Sequence, residues 1–145
     1  MKCIGLRTML HKTRLKVRFC EVDPYEVVWH GHYISWFEVG RNDLASRFGL
    51  DPMQLREVGL MAPVVDLSCK FKLPARYDEE VTIQTTMQRS ETAKLIFSYT
   101  VMRDTEMLAE GSTTHVLTDL KGTMLYKVPS AVQQRLEEMM TYLGV

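Results

Sequence analysis

The stretch Asp23 to Arg41, DPYEVVWHGHYISWFEVGR, decides the fold. It opens in an acidic turn at Asp23-Pro24, crosses the short apolar run Val27, Val28, Trp29, meets His30-Gly31-His32 and then turns helical. With Tyr33 as origin and about 100° per residue, Trp36, Phe37, Gly40, Leu44 and Phe48 fall within about 60° of one meridian. A helix with so broad an aromatic stripe has to be covered on that face. Gly40 inside the stripe costs about 1 kcal/mol against Ala, a sacrifice that makes sense where another backbone approaches closely. A sheet is expected there.

The ends of this helix are readable too. Gly49 after Phe48 suits a left-handed C-terminal cap, and Asp51-Pro52 blocks continuation. The start falls near His30 to His32, so unpaired N–H groups and the positive end of the helix dipole face the loop that carries Asp23. A carboxylate and an anion-binding site therefore converge, as they do where an enzyme stabilises an oxyanion.

The 145 residues suffice for one domain with a real core, read as 1–145, and are too few for two ordinary ones. Net charge is zero, the pI is near 6.9 and there is no basic run, so nucleic acid is not the expected partner. Apolar stretches fall far short of a membrane span. Cys3, Cys20 and Cys69 are an odd number at no metal-like spacing, which fits reduced, buried thiols in a cytoplasmic protein. The opening MKCIGLRTMLHK has no apolar core of a secretory signal. Residues 1–12 are expected to be a disordered lead, with translation beginning at Met1 or at Met9.

Thr13 to Phe19 alternates, with Leu15, Val17 and Phe19 on the buried side of a strand that delivers Asp23. Leu50 to Gly59 reads as a loop with at most a short helical turn, placed where a lid would be. Four strand patterns follow, over 61–73, 81–87, 94–103 and 107–118. The first puts Val65, Leu67, Cys69, Phe71 and Leu73 on one face, and Gly111 in the last marks a bulge or a close contact. Their short connections predict an antiparallel meander. A final helix starts at Pro129-Ser130, with Gln133 completing a capping box and Val132, Leu136, Met139, Met140 and Leu143 as its stripe. The order β-α-β-β-β-β-α predicts an α+β fold, a five-stranded antiparallel sheet curled around one long helix, with a C-terminal helix.

The motif V-D-P-x-x-V-V-W-H-x-x-Y-x-x-x-F-E, Val22 to Glu38, together with this order, resembles the hotdog-fold acyl-CoA thioesterases of the 4-hydroxybenzoyl-CoA thioesterase type, including the Tol-Pal-associated bacterial branch. The resemblance runs from about Arg14 to Val128. It implies that Asp23 is the catalytic carboxylate and that a backbone N–H near His30 or Gly31 polarises the thioester carbonyl. It also implies sites at the interface of a dimer, with dimers often pairing into a homotetramer. A Gly-rich turn is common in that family where Tyr25-Glu26 stands here, and a small polar residue where His32 stands.

Asp23 is thus a general base or a nucleophile, against the ordinary reading of a turn-capping Asp before Pro24. His30 either orients the carbonyl or merely packs at the helix start. His30 and His32 form H-x-H with no third ligand at a credible spacing, so no metal is expected. Glu38, about 140° from Tyr33 around the helix, is a second carboxylate or the i,i+3 partner of Arg41. Tyr33 is core or a wall of the acyl pocket. Arg89, Ser90 and Lys94 are candidates for coenzyme A phosphates. No cofactor is implied. A 3-hydroxyacyl dehydratase of the same fold is the alternative, although the D-x-N-P-L-H spacing of that branch is missing; a non-catalytic acyl-binding module is a further one.

Overall fold

The computed structural model describes residues 9–145. Cys3, and the lead as far as residue 8, lie outside the described residues. Met9 already belongs to the fold, donating its N–H to Leu143 O at 2.7 Å, and His11 and Lys12 open the first strand. That strand, β1 (His11–Lys16), ends earlier than its alternation suggested. The chain then makes a 3-10 turn at Phe19–Glu21, which throws Phe19 outward to 78% exposure, edge-on to Tyr77, instead of onto the buried face.

Helix α1 spans His30–Ser46 and buries Tyr33, Trp36, Phe37, Gly40 and Leu44 as the stripe predicted. Gly49, at φ 73°, closes it, with Leu50 N–H reaching back to Ala45 O at 3.0 Å. The stretch read as a loop contains a real helix, α2 (Pro52–Glu57), whose Asp51 and Gln54 form a reciprocal capping box.

The region 61–73 is two elements. β2 (Leu60–Met61) pairs with β7 (Thr118–Asp119), and β3 (Val64–Phe71) joins the main sheet. β4 (Glu80–Gln88), β5 (Leu95–Arg103) and β6 (Glu106–His115) complete it. The five strands are antiparallel in the order β1-β4-β5-β6-β3, so only β4-β5-β6 is a meander. The connection from Lys72 to Glu79 is too long for a tight hairpin. It carries the chain past the start of α1, where Ala75 O accepts from Val28 N–H at 2.8 Å, so β3 lands beside β6 rather than β4.

The helix touches every strand of this sheet. Asp43 meets His11 and Thr13 of β1, Gly40 lies on Ile83 and Thr85 of β4, and Phe37 stacks on Tyr99 of β5 at 4.6 Å. Phe37 also packs on Gly111 of β6, and Tyr33 meets Phe71 of β3 at 5.2 Å. Gly111 is the close contact its position suggested, since a Cβ there would strike Ser68 O and the Phe37 ring.

Helix α3 (Ser130–Leu143) buries Val132, Leu136, Met139 and Leu143, and Gly144 caps it at φ 69°. The expected Ser130–Gln133 capping box does not form. Ser130 is already inside the helix, and Pro129 O takes the N–H groups of both Val132 and Gln133. Of the cysteines described, Cys20 is exposed, contrary to expectation, because it sits in the outward 3-10 turn, and Cys69 is half-buried. No helix among the described residues is long and apolar enough to cross a membrane.

Candidate active site

The loop from Val22 to Val28 is pinned by its own backbone. Asp23 N–H donates to Val27 O and Glu26 N–H to Asp23 O, both at 2.9 Å, while Val22 and Val28 form an antiparallel bridge. Glu26 closes the turn at φ 65°, a left-handed conformation uncommon for a residue other than glycine.

Glu21 anchors this loop to the helix. Its side chain is buried and accepts from Trp36 Nε1–H and Arg18 N–H, each at 2.8 Å, with Arg18 Nε at 3.3 Å. Its own carbonyl accepts from Trp29 N–H. Burial pushes the carboxyl upward, but these donors outweigh it and hold Glu21 below the ordinary carboxylate range. No spacing in the sequence signals this role, because Trp36 becomes a partner only once the helix folds back over the turn.

Asp23 Oδ1 accepts from Tyr25 N–H at 2.8 Å. Its carboxylate, with Val27, Val28, His30 and Tyr33, lines a cleft of about 300 Å³ whose far wall is Phe71 to Pro74. Gly31 follows His30 in the first turn of α1 and is not part of the lining. Trp29, the N-cap, provides no side-chain cap, and among the described residues the His30 and Gly31 N–H groups have no acceptor, whereas His32 N–H reaches Trp29 O. Gly31 is needed for a steric reason as well: a Cβ there would strike the Trp29 ring, which folds back over the helix start. Both imidazoles flank that indole, His30 at 4.9 Å and His32 at 5.5 Å. Among the described residues no group of three His, Cys, Asp or Glu is arranged to hold a metal.

Tyr33 is both core and wall. Its hydroxyl accepts from Ala75 N–H at 3.0 Å, its ring meets Phe71 edge-on, and burial raises its phenol above the ordinary value. Glu38 lies off this cleft, exposed, 3.2 Å from Arg41 Nη2. Arg89, Ser90 and Lys94 line a separate cavity against α3, where Arg89 pairs with both carboxylate oxygens of Glu137. They sit near Leu95, which pairs with His115 and through it with Val64, at the opposite end of the sheet from Phe71 and Asp23.

A buried polar chain runs behind Glu38 and was not legible beforehand. Arg41 donates to Tyr99 Oη at 3.4 Å, Tyr99 and Thr113 share a hydrogen bond of 2.7 Å, and Thr113 meets His115 Nε2 at 3.0 Å. His115 Nδ1 lies 2.8 Å from Ala62 O. A carbonyl only accepts, so Nδ1 carries the proton and Nε2 accepts from the Thr113 hydroxyl. Burial lowers the His115 pKa, in keeping with a neutral ring.

A helix sheathed by an antiparallel sheet, with a carboxylate at its amino-terminal mouth, defines an enzyme of the hotdog fold. The profile of the Thioesterase superfamily matches residues 25–110, and the chain belongs to that family: it is a thioester hydrolase. Asp23 lies just ahead of the matched span. A hypothetical protein of Thermus thermophilus superposes with a TM-score of 0.81 at 33% identity, over 89% of this chain and 98% of that one. The acyl-CoA thioesterase YbgC of Haemophilus influenzae is 25% identical over 73% of this chain and 79% of its own. The 4-hydroxybenzoyl-CoA thioesterase of a Pseudomonas species is 26% identical over 62% and 66%.

Proposed function

We propose that this chain hydrolyses an acyl-CoA thioester to the free acid and coenzyme A, with Asp23 as the acting carboxylate. The observation that carries the reading is that Asp23 and His30, the first residue of α1 and one whose N–H is unpaired among the described residues, line one cleft in a member of the Thioesterase superfamily. The thioester carbonyl oxygen takes the His30 and Gly31 N–H groups, which stabilise the charge that develops there. Asp23 then acts by one of two routes. As a base it takes a proton from water, whose oxygen bonds the carbonyl carbon, and returns the proton to the departing thiolate. As a nucleophile its oxygen displaces the thiolate to give a mixed anhydride, which water opens. The motif from Val22 to Glu38 and the two named relatives support the 4-hydroxybenzoyl-CoA thioesterase type, including its Tol-Pal-associated branch. The cysteine usage and charge of the chain support a cytoplasmic setting.

Thiol release followed with Ellman's reagent over a panel of acyl-CoAs tests this. Hydrolysis of at least one member is expected. A folded protein that releases no thiol from any of them, or that only hydrates an enoyl-CoA, overturns the reading.

The working unit is a homodimer built edge to edge through β3, with pairing of dimers into a tetramer as the further step. β3 is an eight-residue outer strand whose Val65, Leu67 and Phe71 remain 57%, 38% and 50% exposed. The other edge, β1, is guarded by Lys12, Arg14 and Lys16. Antiparallel addition of a second β3 pairs the open backbone groups and covers those side chains. It also brings Arg89, Ser90 and Lys94 of the second copy to the end of the sheet where Asp23 of the first lies, so cations for the coenzyme A phosphates arrive from across the interface. Sedimentation equilibrium at micromolar concentration is expected to give a dimer or tetramer; a monomer sinks the β3 interface.

A further inference from the structure

Behind α2 lies a further, apolar cavity of about 310 Å³ that shares no lining residue with the Asp23 cleft. Its interior is buried side chains, including Leu55, Phe97, Leu117 and Leu136. Arg41 and His115 also line it, but their polar atoms are engaged with Glu38, Tyr99, Thr113 and Ala62 O. The partly or fully exposed lining residues are Pro52 and Arg56 of α2, Asn42, and Met61 to Pro63, and they mark the mouth.

That mouth and the Asp23 cleft sit at opposite ends of one strand. Met61 to Pro63 lead directly into Val64, the first residue of β3, and Phe71 to Pro74, the wall of the cleft, begin at its last. Within one subunit, eight residues of strand at about 3.3 Å each separate them by more than 20 Å. Between two antiparallel β3 strands the start of one lies beside the end of the other, about 4.8 Å away across the ladder. With the β3 strands of two subunits paired in this way, Asp23 of one subunit comes to the end of the sheet that carries the cavity mouth of its neighbour.

We propose that the acyl chain of a substrate bound at Asp23 of one subunit is housed in this cavity of the other, making the enzyme selective for medium-chain aliphatic thioesters. The inference rests on the thioesterase reading above and on the β3 interface. At about 30 Å³ for a methylene-sized group, the share one water takes in the liquid, the cavity accepts a chain of about ten carbons. Each methylene moved from water into an apolar site is worth about fourfold in affinity, so kcat/KM rises with chain length until the cavity is full.

Ellman assays on wild-type protein with butyryl-, decanoyl-, palmitoyl- and 4-hydroxybenzoyl-CoA read this directly. Decanoyl-CoA is expected to exceed butyryl-CoA by at least about 10²-fold in kcat/KM, and palmitoyl-CoA to fall back. Ala62→Phe at the mouth is expected to cost decanoyl-CoA at least about tenfold more than butyryl-CoA; Met61→Trp is the second plug if Ala62→Phe folds poorly. Co-expression then tests the crossing between subunits. A dimer of Asp23→Asn with Ala62→Phe retains one site that joins an intact Asp23 to an open cavity across the interface, so statistical mixing restores about a quarter of the wild-type decanoyl-CoA rate. No recovery, or rates indifferent to chain length, overturns this inference and leaves the thioesterase reading standing. Absence of hydrolysis on the whole panel removes both.

Discussion

Asp23→Asn is expected to lower kcat on the best acyl-CoA by at least about 10²-fold, the lower end for a positioned general base, while the protein folds as before. The turn around Asp23 is held by backbone bonds, from its N–H to Val27 O and from Glu26 N–H to its own carbonyl. The one side-chain bond, Oδ1 from Tyr25 N–H at 2.8 Å, is kept by the amide oxygen of Asn. A stability change within about 1 to 2 kcal/mol follows, since the geometry of the turn survives. What disappears is the negative charge and the basicity, so the side chain neither deprotonates water nor attacks the carbonyl. KM is expected to change much less, because the residues proposed to hold coenzyme A, Arg89, Ser90 and Lys94, line a different cavity. Steady-state kinetics beside a thermal melt separate these effects. A folded variant within threefold of wild type removes Asp23 from the chemistry and makes Glu38, the second candidate carboxylate, the group to test next.

The helix and the mouth of the cleft were legible because their signals are local. An aromatic stripe with a period of 3.6 residues, a glycine inside it and a glycine after it specify where α1 runs, which face is covered and where it stops. Strand patterns are equally local, so they announced β4 and β5 almost to the residue, yet they say nothing about partners. The placement of β3 beside β6 depends on the path of the Lys72–Glu79 connection, which no period records. Alternation in β3 likewise predicted an apolar face but not what covers it. The sheet overhangs α1 at that edge, and Val65 and Leu67 stay open. Glu21 and the chain from Arg41 to His115 were missed for a related reason: each polar group is satisfied by residues distant in sequence, so its burial becomes intelligible only in three dimensions. At the two capping boxes, the motif at Ser130 was overridden by Pro129, and the one at Asp51 sat inside a stretch too short to show a helical period.

Gly40→Val is expected to be the most destabilising single change on α1 outside its large side chains. An ideal Cβ at position 40 would lie 2.7 Å from Ile83 Cγ2 and 2.8 Å from Thr85 Oγ1. Both belong to β-branched side chains with little rotamer freedom on a central strand, so neither swings clear. The helix must instead lift from the sheet, which opens the Phe37 stack on Tyr99 one turn away. Overpacking of this kind costs about 3 kcal/mol or slightly more, roughly 10 °C in melting temperature for a chain of this size. Gly40→Ala gives the sharper test, because two effects oppose each other there. Helix propensity favours Ala by about 1 kcal/mol, whereas its Cβ makes the same collision. If the helix lies as close to β4 as the structure places it, the collision wins and Gly40→Ala melts below wild type. A variant that melts a few degrees higher would mean that propensity wins, and that the contact between Gly40 and β4 is looser than the one on which the position of α1, and with it the Asp23 cleft, depends.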